Sequence, residues 1–210
     1  MGIEPAETGQ QIDLRKAEAT RRRILDAAAR VFMHKGYVAT RLTDIAEEAE
    51  MRAGSLYYHF ESKEQIFEEV LQIGIALVFD AVRAAVEELG PEVSHRTRIG
   101  AAIETHLTML LQHGDYTSAN FRNFGQIQDA LQLRHLPLRQ AYGDYLRGLL
   151  EAARDAGEIR ADADLSLVRM LLLGALNWSI EWYDPEKRPL AEIAGELQRM
   201  LFDGIGQTAD

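Results

Sequence analysis

Apolar residues return at helical spacing along most of this chain. Ile24, Leu25, Ala28, Val31 and Phe32 fall at i, i+4 and i+7, one face of a helix predicted over 18–35, with Lys35 in its last turn and Gly36 as its stop. Thr40 is placed to cap a short second helix over 41–48, whose apolar positions are Leu42, Ile45, Ala46 and Ala49. A turn at Glu50-Met51 leads to a third short helix over 52–59, with Leu56 and Phe60 on its apolar side. Ser62-x-x-Gln65 reads as a capping box opening a long helix that ends before Gly90-Pro91. Further helices are predicted over 94–112, 116–124, 127–135, 137–156, 164–183 and 189–203, broken at Gly114, Gly125, Pro137, Gly157, Asp184-Pro185 and Gly204. No stretch alternates as a strand does, and no repeat of fixed period is visible. The fold class is all-α, with a small N-terminal unit and a larger helical C-terminal one. Residues 1–14 lack periodicity and are expected to be a disordered extension; the two units then span 15–63 and 64–210.

Composition narrows the class. With 47% hydrophobic and 27% charged residues in 210, the chain can build a globular core. It has no cysteine, which excludes disulfides, thiolate metal sites and a cysteine nucleophile. The longest apolar stretch, residues 165–180, is interrupted by Arg169, Gly174 and Asn177 and is too short to span a bilayer. The acidic, polar start lacks the form of a secretory signal. A cytoplasmic protein with no membrane partner is expected.

A net charge of −10 argues at first against nucleic acid, but the charge is unevenly distributed. Residues 15–63 hold ten Lys/Arg and seven Asp/Glu, residues 1–14 three acids and no base, and residues 64–210 thirteen bases and twenty-three acids. A basic segment on an acidic body suggests that one end meets an anion. Two short helices around a tight turn form a helix-turn-helix, whose second helix lies in the major groove of DNA. In residues 52–59 the small Ala53, Gly54 and Ser55 allow close approach to bases. Ser55 and Tyr57 can touch base edges, while Tyr58 and His59 can bond phosphate. Lys63 and Thr40 each stand at a helix N-terminus, where free N–H groups attract anions. Arg21, Arg22 and Arg23 are within reach of the flanking backbone. Taken singly, Tyr57, Tyr58 and Phe60 read equally as a core cluster and Lys63 as a solvated lysine; the complete string decides.

That string is Ala39-Thr40-Arg41-Leu42-Thr43-Asp44-Ile45-Ala46 followed by Gly54-Ser55-Leu56-Tyr57-Tyr58-His59-Phe60-x-Ser62-Lys63-Glu64. With Arg23-Ile24-Leu25-Asp26-Ala27-Ala28 and Phe32-x-x-x-Gly36-Tyr37, it resembles the DNA-binding segment of the tetracycline-repressor-like (TetR) family of bacterial transcription regulators. The resemblance covers about residues 18–70. It implies a homodimer on a palindromic double-stranded operator, an all-α ligand domain, and usually repression relieved by a small molecule, here expected to be hydrophobic. It places base reading on Leu42, Thr43, Ala53, Gly54, Ser55 and Tyr57, and phosphate contacts on Thr40, Tyr58, His59 and Lys63. One departure is Glu50, where the family's turn carries glycine. Glu50 is expected at positive φ, storing about 1–3 kcal/mol of strain.

A dimer also follows from physics, because one recognition helix reads too few base pairs to find a site in a genome. The helix over 164–183 offers Leu165, Leu167, Val168, Leu171, Leu172, Ala175, Leu176 and Trp178, apolar nearly all round, and therefore needs cover on more than one side. The expected dimer surface is Leu165, Val168, Leu172 and Leu176, with Ile193, Leu197 and Leu201 on the last helix. The resemblance points to the same two helices, packed as a four-helix bundle.

The effector cavity is expected among His106, Met109, Phe121, Phe124, Tyr142, Tyr145, Asn177 and Trp178, with Leu110 and Leu149 nearby; each reads equally as plain core. The stretch from Leu173 to Tyr183 resembles the C-terminal region of family members that sense acyl-CoA thioesters in fatty-acid or sterol breakdown. This implies a long apolar ligand with an anionic head, which Arg122, Arg134 or Arg139 can meet by bidentate hydrogen bonds, or beside which they stand solvated. No His-Glu-x-x-His motif, nucleophile elbow or phosphate-binding glycine loop is present, and His106 and His113 are too far apart for a two-ligand metal clip at i, i+4. No catalytic residue, metal or cofactor is expected. An all-α binding protein without DNA affinity is the competing class, and the Tyr57-Tyr58-His59 run with Lys63 argues against it.

Overall fold

The computed structural model describes residues 9–112, 114–123 and 129–205; for 9–12, 121, 129–136 and 205 it describes the backbone alone. Among these residues every regular element is a helix: α1 (Gly9–Lys35), α2 (Leu42–Glu48), α3 (Ala53–Leu56), α4 (Lys63–Glu87), α5 (His95–Leu111), α6 (Asp115–Asn123), α7 (Asp129–Asp155), α8 (Leu165–Trp182) and α9 (Leu190–Ile205).

Local chemistry fixes the boundaries. Ser62 Oγ accepts the Gln65 N–H at 3.1 Å, and the Gln65 side chain accepts the N–H of Glu61 at 2.8 Å, so the reciprocal bond lands one residue before the expected one. Ser94 Oγ accepts the Thr97 N–H at the start of α5. The Glu158 carboxylate, arriving from the loop after α7, takes the N–H groups of His95 and Arg96. Asp164 Oδ1 accepts from Ser166 and Leu167, capping α8.

Three helix predictions change. The helix expected over 52–59 is only α3, Ala53–Leu56, and residues 57–59 form a turn after it. α1 begins at Gly9, so residues 9–14 are helical and not a disordered extension; residues 1–8 lie outside the described residues. Once α1 is nucleated by its packed half, good helix formers such as Gln, Leu, Arg, Lys and Ala propagate it without needing an apolar face. Helices expected over 127–135 and 137–156 are one helix, α7, which runs through Pro137. An interior proline costs about 3 kcal/mol, but Pro137 is exposed and the packing of Tyr142, Leu146, Leu150 and Ala153 downstream outweighs that cost.

Ile24, Ala28, Phe32, Ile45, Leu56, Phe60, Ile66, Phe67 and Leu71 bury together as the core of the N-terminal head, with Ala119 of α6 among them. α4 leaves this core and enters a second one, where Val78, Val82 and Val86 meet Ala102, Tyr142 and Leu146. A third cluster joins α5, α7, α8 and α9 through Ile103, Leu107, Leu150, Leu172, Leu176 and Phe202. α6 lies across the junction, packed on both α1 and α4. Gly74 permits this: a Cβ there would stand 2.5 Å from the Tyr116 carbonyl oxygen.

Candidate nucleic-acid interface and effector cavity

α2 ends in a Schellman turn. The Met51 N–H donates to the Ala46 carbonyl at 2.9 Å and the Glu50 N–H to Glu47 at 3.0 Å. Glu50 occupies the left-handed position of that turn, at φ 53°, as expected from the missing glycine. The turn leads into α3, with Leu56 buried, Ala53 half-buried against the same core and Gly54 exposed. Tyr57 is 63% exposed and Tyr58 90%, so neither belongs to the core cluster that includes Phe60. Thr43 and Gly54 are also exposed, while Leu42, Ser55 and His59 are half-buried.

Three cationic or polar groups expected on DNA have internal work. Thr40 is only 2% exposed and its hydroxyl donates to the Gly36 carbonyl at 2.6 Å; the residue preceding α2 is Arg41, whose N–H donates to Asp44. Lys63 Nζ donates to the carbonyls of Tyr37 (2.9 Å) and Thr40 (3.0 Å) and stands 4.4 Å from the Tyr37 ring centroid. It clips the α1–α2 loop to α4, leaving one ammonium proton for another acceptor. Arg21 donates to the His59 carbonyl at 2.7 Å, pairs with Glu69 and covers the Phe60 ring, so it ties α1 to the end of the recognition segment. Arg22 and Arg23 remain exposed. Sequence spacing shows that such groups sit near helix ends, but not which carbonyls come within reach.

One face of α6 carries Tyr116, Asn120 and Asn123, at i, i+4 and i+7. Tyr116 donates to Asp26 at 2.7 Å, and burial together with that carboxylate pushes its phenol above the ordinary range. Asn120 donates to the Leu71 carbonyl at 2.7 Å. Asn123, fully buried, accepts from the Tyr37 N–H at 2.7 Å and donates to the Phe32 carbonyl at 3.0 Å. These bonds lock the head onto the body. The same Asn120 side chain accepts, through Oδ1, from Arg139 of α7 at 2.5 Å.

Arg139 opens onto a cavity of about 440 Å³ between α4, α5, α7 and α8. Ile75, Val78, Met170 and Leu173 supply its apolar wall, and His106, Tyr142, Asn177, Arg139 and Arg169 its polar groups. His106 Nδ1 lies 2.7 Å from the Tyr142 hydroxyl and Nε2 3.1 Å from Asn177 Oδ1. Burial pushes the imidazole down to about 4, so it is neutral, and pushes the Tyr142 phenol up. Burial also lowers Arg139, to about 10, which leaves it cationic at neutral pH. Arg169 Nε is buried with no hydrogen-bond partner among the described residues, and its guanidinium reaches Asp144 only at 3.9 Å.

Of the expected cavity residues, His106, Tyr142 and Asn177 line it. Met109 and Tyr145 instead pack half-buried against the Val78–Val82–Leu146 core, as does Leu149, and Leu110 is fully buried. Trp178 is 67% exposed on the opposite side of α8 and does not line the cavity. Arg122 is on the surface, 3.9 Å from Glu181. The side chains of Phe121, Phe124 and Arg134, and all of His113, lie outside the described residues. Arg169 was visible in the sequence only as a break in an apolar helix.

Part of the expected dimer surface is taken up within the protomer. Leu165, Leu172 and Leu176 are buried within the protomer, and Val168, Ile193, Leu197 and Leu201 pack half-buried on that same cluster. The stripe left outside is Leu167, Met170, Leu171, Trp178 and Trp182, with Met200 of α9. A groove of about 490 Å³ lies between α8 and α9, lined by Trp182 and Met200 of this stripe together with Ile193 and Leu197. A helix apolar on all sides has no readable phase, so the sequence could not say which stripe the core would take.

No helix among the described residues is long and apolar enough to cross a membrane. Residues 24–70 match the family of bacterial regulatory proteins, tetR family, and residues 92–205 the tetracyclin repressor-like C-terminal domain. The HTH-type transcriptional repressor KstR2 of Mycolicibacterium smegmatis is 30% identical over 190 residues, spanning 88% of this chain and 90% of the relative. The fatty acid metabolism regulator protein of Bacillus subtilis is 23% identical over 186 residues, spanning 87% and 93%. The crystal structure of AibR in complex with isovaleryl coenzyme A and operator DNA has the same fold, with TM-score 0.78 at 24% identity over 87% of this chain and 98% of that one. The outward tyrosines of the recognition segment, the two matched domains and these relatives together place the chain in the TetR family: it is a DNA-binding transcription regulator and not an enzyme.

Proposed function

We propose that this protein is a homodimeric cytoplasmic repressor, held on a palindromic operator and released by an apolar small molecule with an anionic head, of which acyl-CoA thioesters are the leading class. The observation that carries this reading is the pairing of cations with an oily cavity. Arg139 and Arg169 stand beside Ile75, Val78, Met170 and Leu173, and Arg169 Nε has no partner among the described residues. Guanidinium groups in such surroundings favour a carboxylate or phosphate. The relatives named for fatty acid metabolism and bound to isovaleryl coenzyme A support the choice of acyl chemistry.

The exposed stripe of α8 and α9 supplies the dimer seam, because six large apolar side chains in one band need cover. Two heads then read half-sites one helical turn apart or a multiple of it. Ala53, Gly54, Ser55, Tyr57, Leu42 and Thr43 read bases, while Tyr58, His59 and the remaining proton of Lys63 hold phosphate. An effector moves the heads only by the difference in its affinity for the two arrangements. Arg139 supplies that difference: an anion in the cavity competes with Asn120 for the guanidinium, and Asn120 and Asn123 belong to the α6 face that fixes the head.

The test is an operator selected from random duplexes, bound to the full chain and followed by fluorescence anisotropy. Added isovaleryl-, octanoyl- and palmitoyl-CoA are expected to release it, with free CoA inert. If none of the thioesters binds better than free CoA by calorimetry, the acyl-CoA reading fails.

A further inference from the structure

The polar line at one side of the cavity has a property that the arginines do not share: it is uncharged. A neutral imidazole has one N–H and one lone pair, so the line through His106 runs in one direction or the other. In the first, Tyr142 donates to Nδ1 and Nε2–H donates to Asn177 Oδ1, leaving the Asn177 amide protons and a Tyr142 lone pair. In the second, with the amide turned over, Asn177 donates to Nε2 and Nδ1–H donates to the Tyr142 oxygen. That leaves the Tyr142 proton and the Asn177 carbonyl. Both arrangements present the cavity with a donor and an acceptor and no net charge. No further hydrogen bond from Asn177 to a described residue exists.

Arg169, Leu173 and Asn177 are spaced i, i+4 and i+8 on α8 and all line the cavity. The Cα atoms of Arg169 and Asn177 are therefore about 12 Å apart along α8, with Leu173 between them, while Arg139 and Tyr142 are one turn apart on α7. A plain hydrocarbon laid along this wall would cover hydrogen-bonding groups without satisfying them, which is unfavourable.

We propose that Tyr142, His106 and Asn177 read an uncharged oxygen, a carbonyl or hydroxyl, carried in the apolar part of the effector. The effector is then an oxygenated amphiphile and not a simple acyl chain. This rests on the cavity being the effector site.

The experiment is calorimetry on the full chain. The ligands are dodecanoic acid, its keto and hydroxy derivatives with the oxygen moved one carbon at a time, and the CoA thioesters of the same acids. Wild type should prefer one oxygen position over the unsubstituted parent by about tenfold or more. Asn177→Leu should lose that preference and Tyr142→Phe should reduce it; melting curves establish that each variant is folded. Equal affinity of the wild type for the parent and every derivative would overturn the proposal, even if a variant does not fold. So would a preference undiminished in folded Asn177→Leu. If thioesters bind and release operator with no oxygen preference, this inference falls and the proposed function stands; if no acid or thioester binds, both fall.

Discussion

Glu50 offers the cleanest perturbation. It sits at φ 53° in the Schellman turn after α2, where an L-residue costs roughly 1–2 kcal/mol relative to its right-handed conformation. The same motif closes α7, with Gly157 at φ 78° and matching bonds from Gly157 to Arg154 and from Glu158 to Ala153. Glu50→Gly removes the strain but gives the unfolded chain more freedom, a loss of about 0.4–1 kcal/mol. The side chain is exposed and has no partner among the described residues, so little else changes. The net expectation is a gain of about 1 kcal/mol, or a rise of roughly 2–4 °C in Tm for a protein of this size. Glu50→Ala keeps the strain and removes the charge, so it should melt near wild type. Gly157→Ala should lose about as much as Glu50→Gly gains. Urea and thermal unfolding of the three variants provide the measurement. A Glu50→Gly protein that is less stable than wild type, or an equal gain from Glu50→Ala, would refute strain as the cause.

Other outcomes follow from the same structure. Leu171 is 66% exposed, so Leu171→Glu should leave the protomer folded yet sediment as a monomer with sharply weakened operator binding; an intact dimer would count against the α8 seam. Asn123→Ala leaves the Tyr37 N–H and Phe32 carbonyl buried without their partner and should cost about 2–4 kcal/mol in urea unfolding; a loss below about 1 kcal/mol would show that the α6 clamp is unimportant. Tyr57→Ala should change base preference by about 1–3 kcal/mol at one position of the half-site. Lys63→Ala should weaken all duplexes alike, flatten the salt dependence and lower the Tm as well; equal losses on specific and random DNA from Tyr57→Ala, or a sequence-dependent loss from Lys63→Ala, would contradict these roles. His106 is held down to about 4 when folded, against about 6.5 unfolded. The unfolded chain therefore binds the extra proton first, and stability should fall as pH drops from about 6.5 towards 4, by up to about 3 kcal/mol. Urea titrations against pH should show this slope flattened in His106→Gln.

The head was legible in the sequence because its signals are local. The cap at Ser62, the stop at Gly36 and the left-handed turn at Glu50 each act within a few positions of themselves, and each is found where the local signal put it. The all-α class was legible for the same reason, since helical periodicity is a property of neighbours.

What the sequence left open were questions of direction and reach. α8 is apolar on nearly every side, so only packing against α5, α7 and α9 determined that Leu165, Leu172 and Leu176 turn inward and Leu171 and Trp178 outward. Lys63 and Arg21 carry the same charge in any conformation; folding brought backbone carbonyls from distant segments within 3.0 Å of their donors and gave them structural work. Arg169 read as an interruption and became a cavity cation only when α7 packed beside it. Chain-local free energies settle which elements form. Which side of each element is buried, and which charges lose water, depends on contacts between residues far apart in sequence, and those exist only in the assembled tertiary structure.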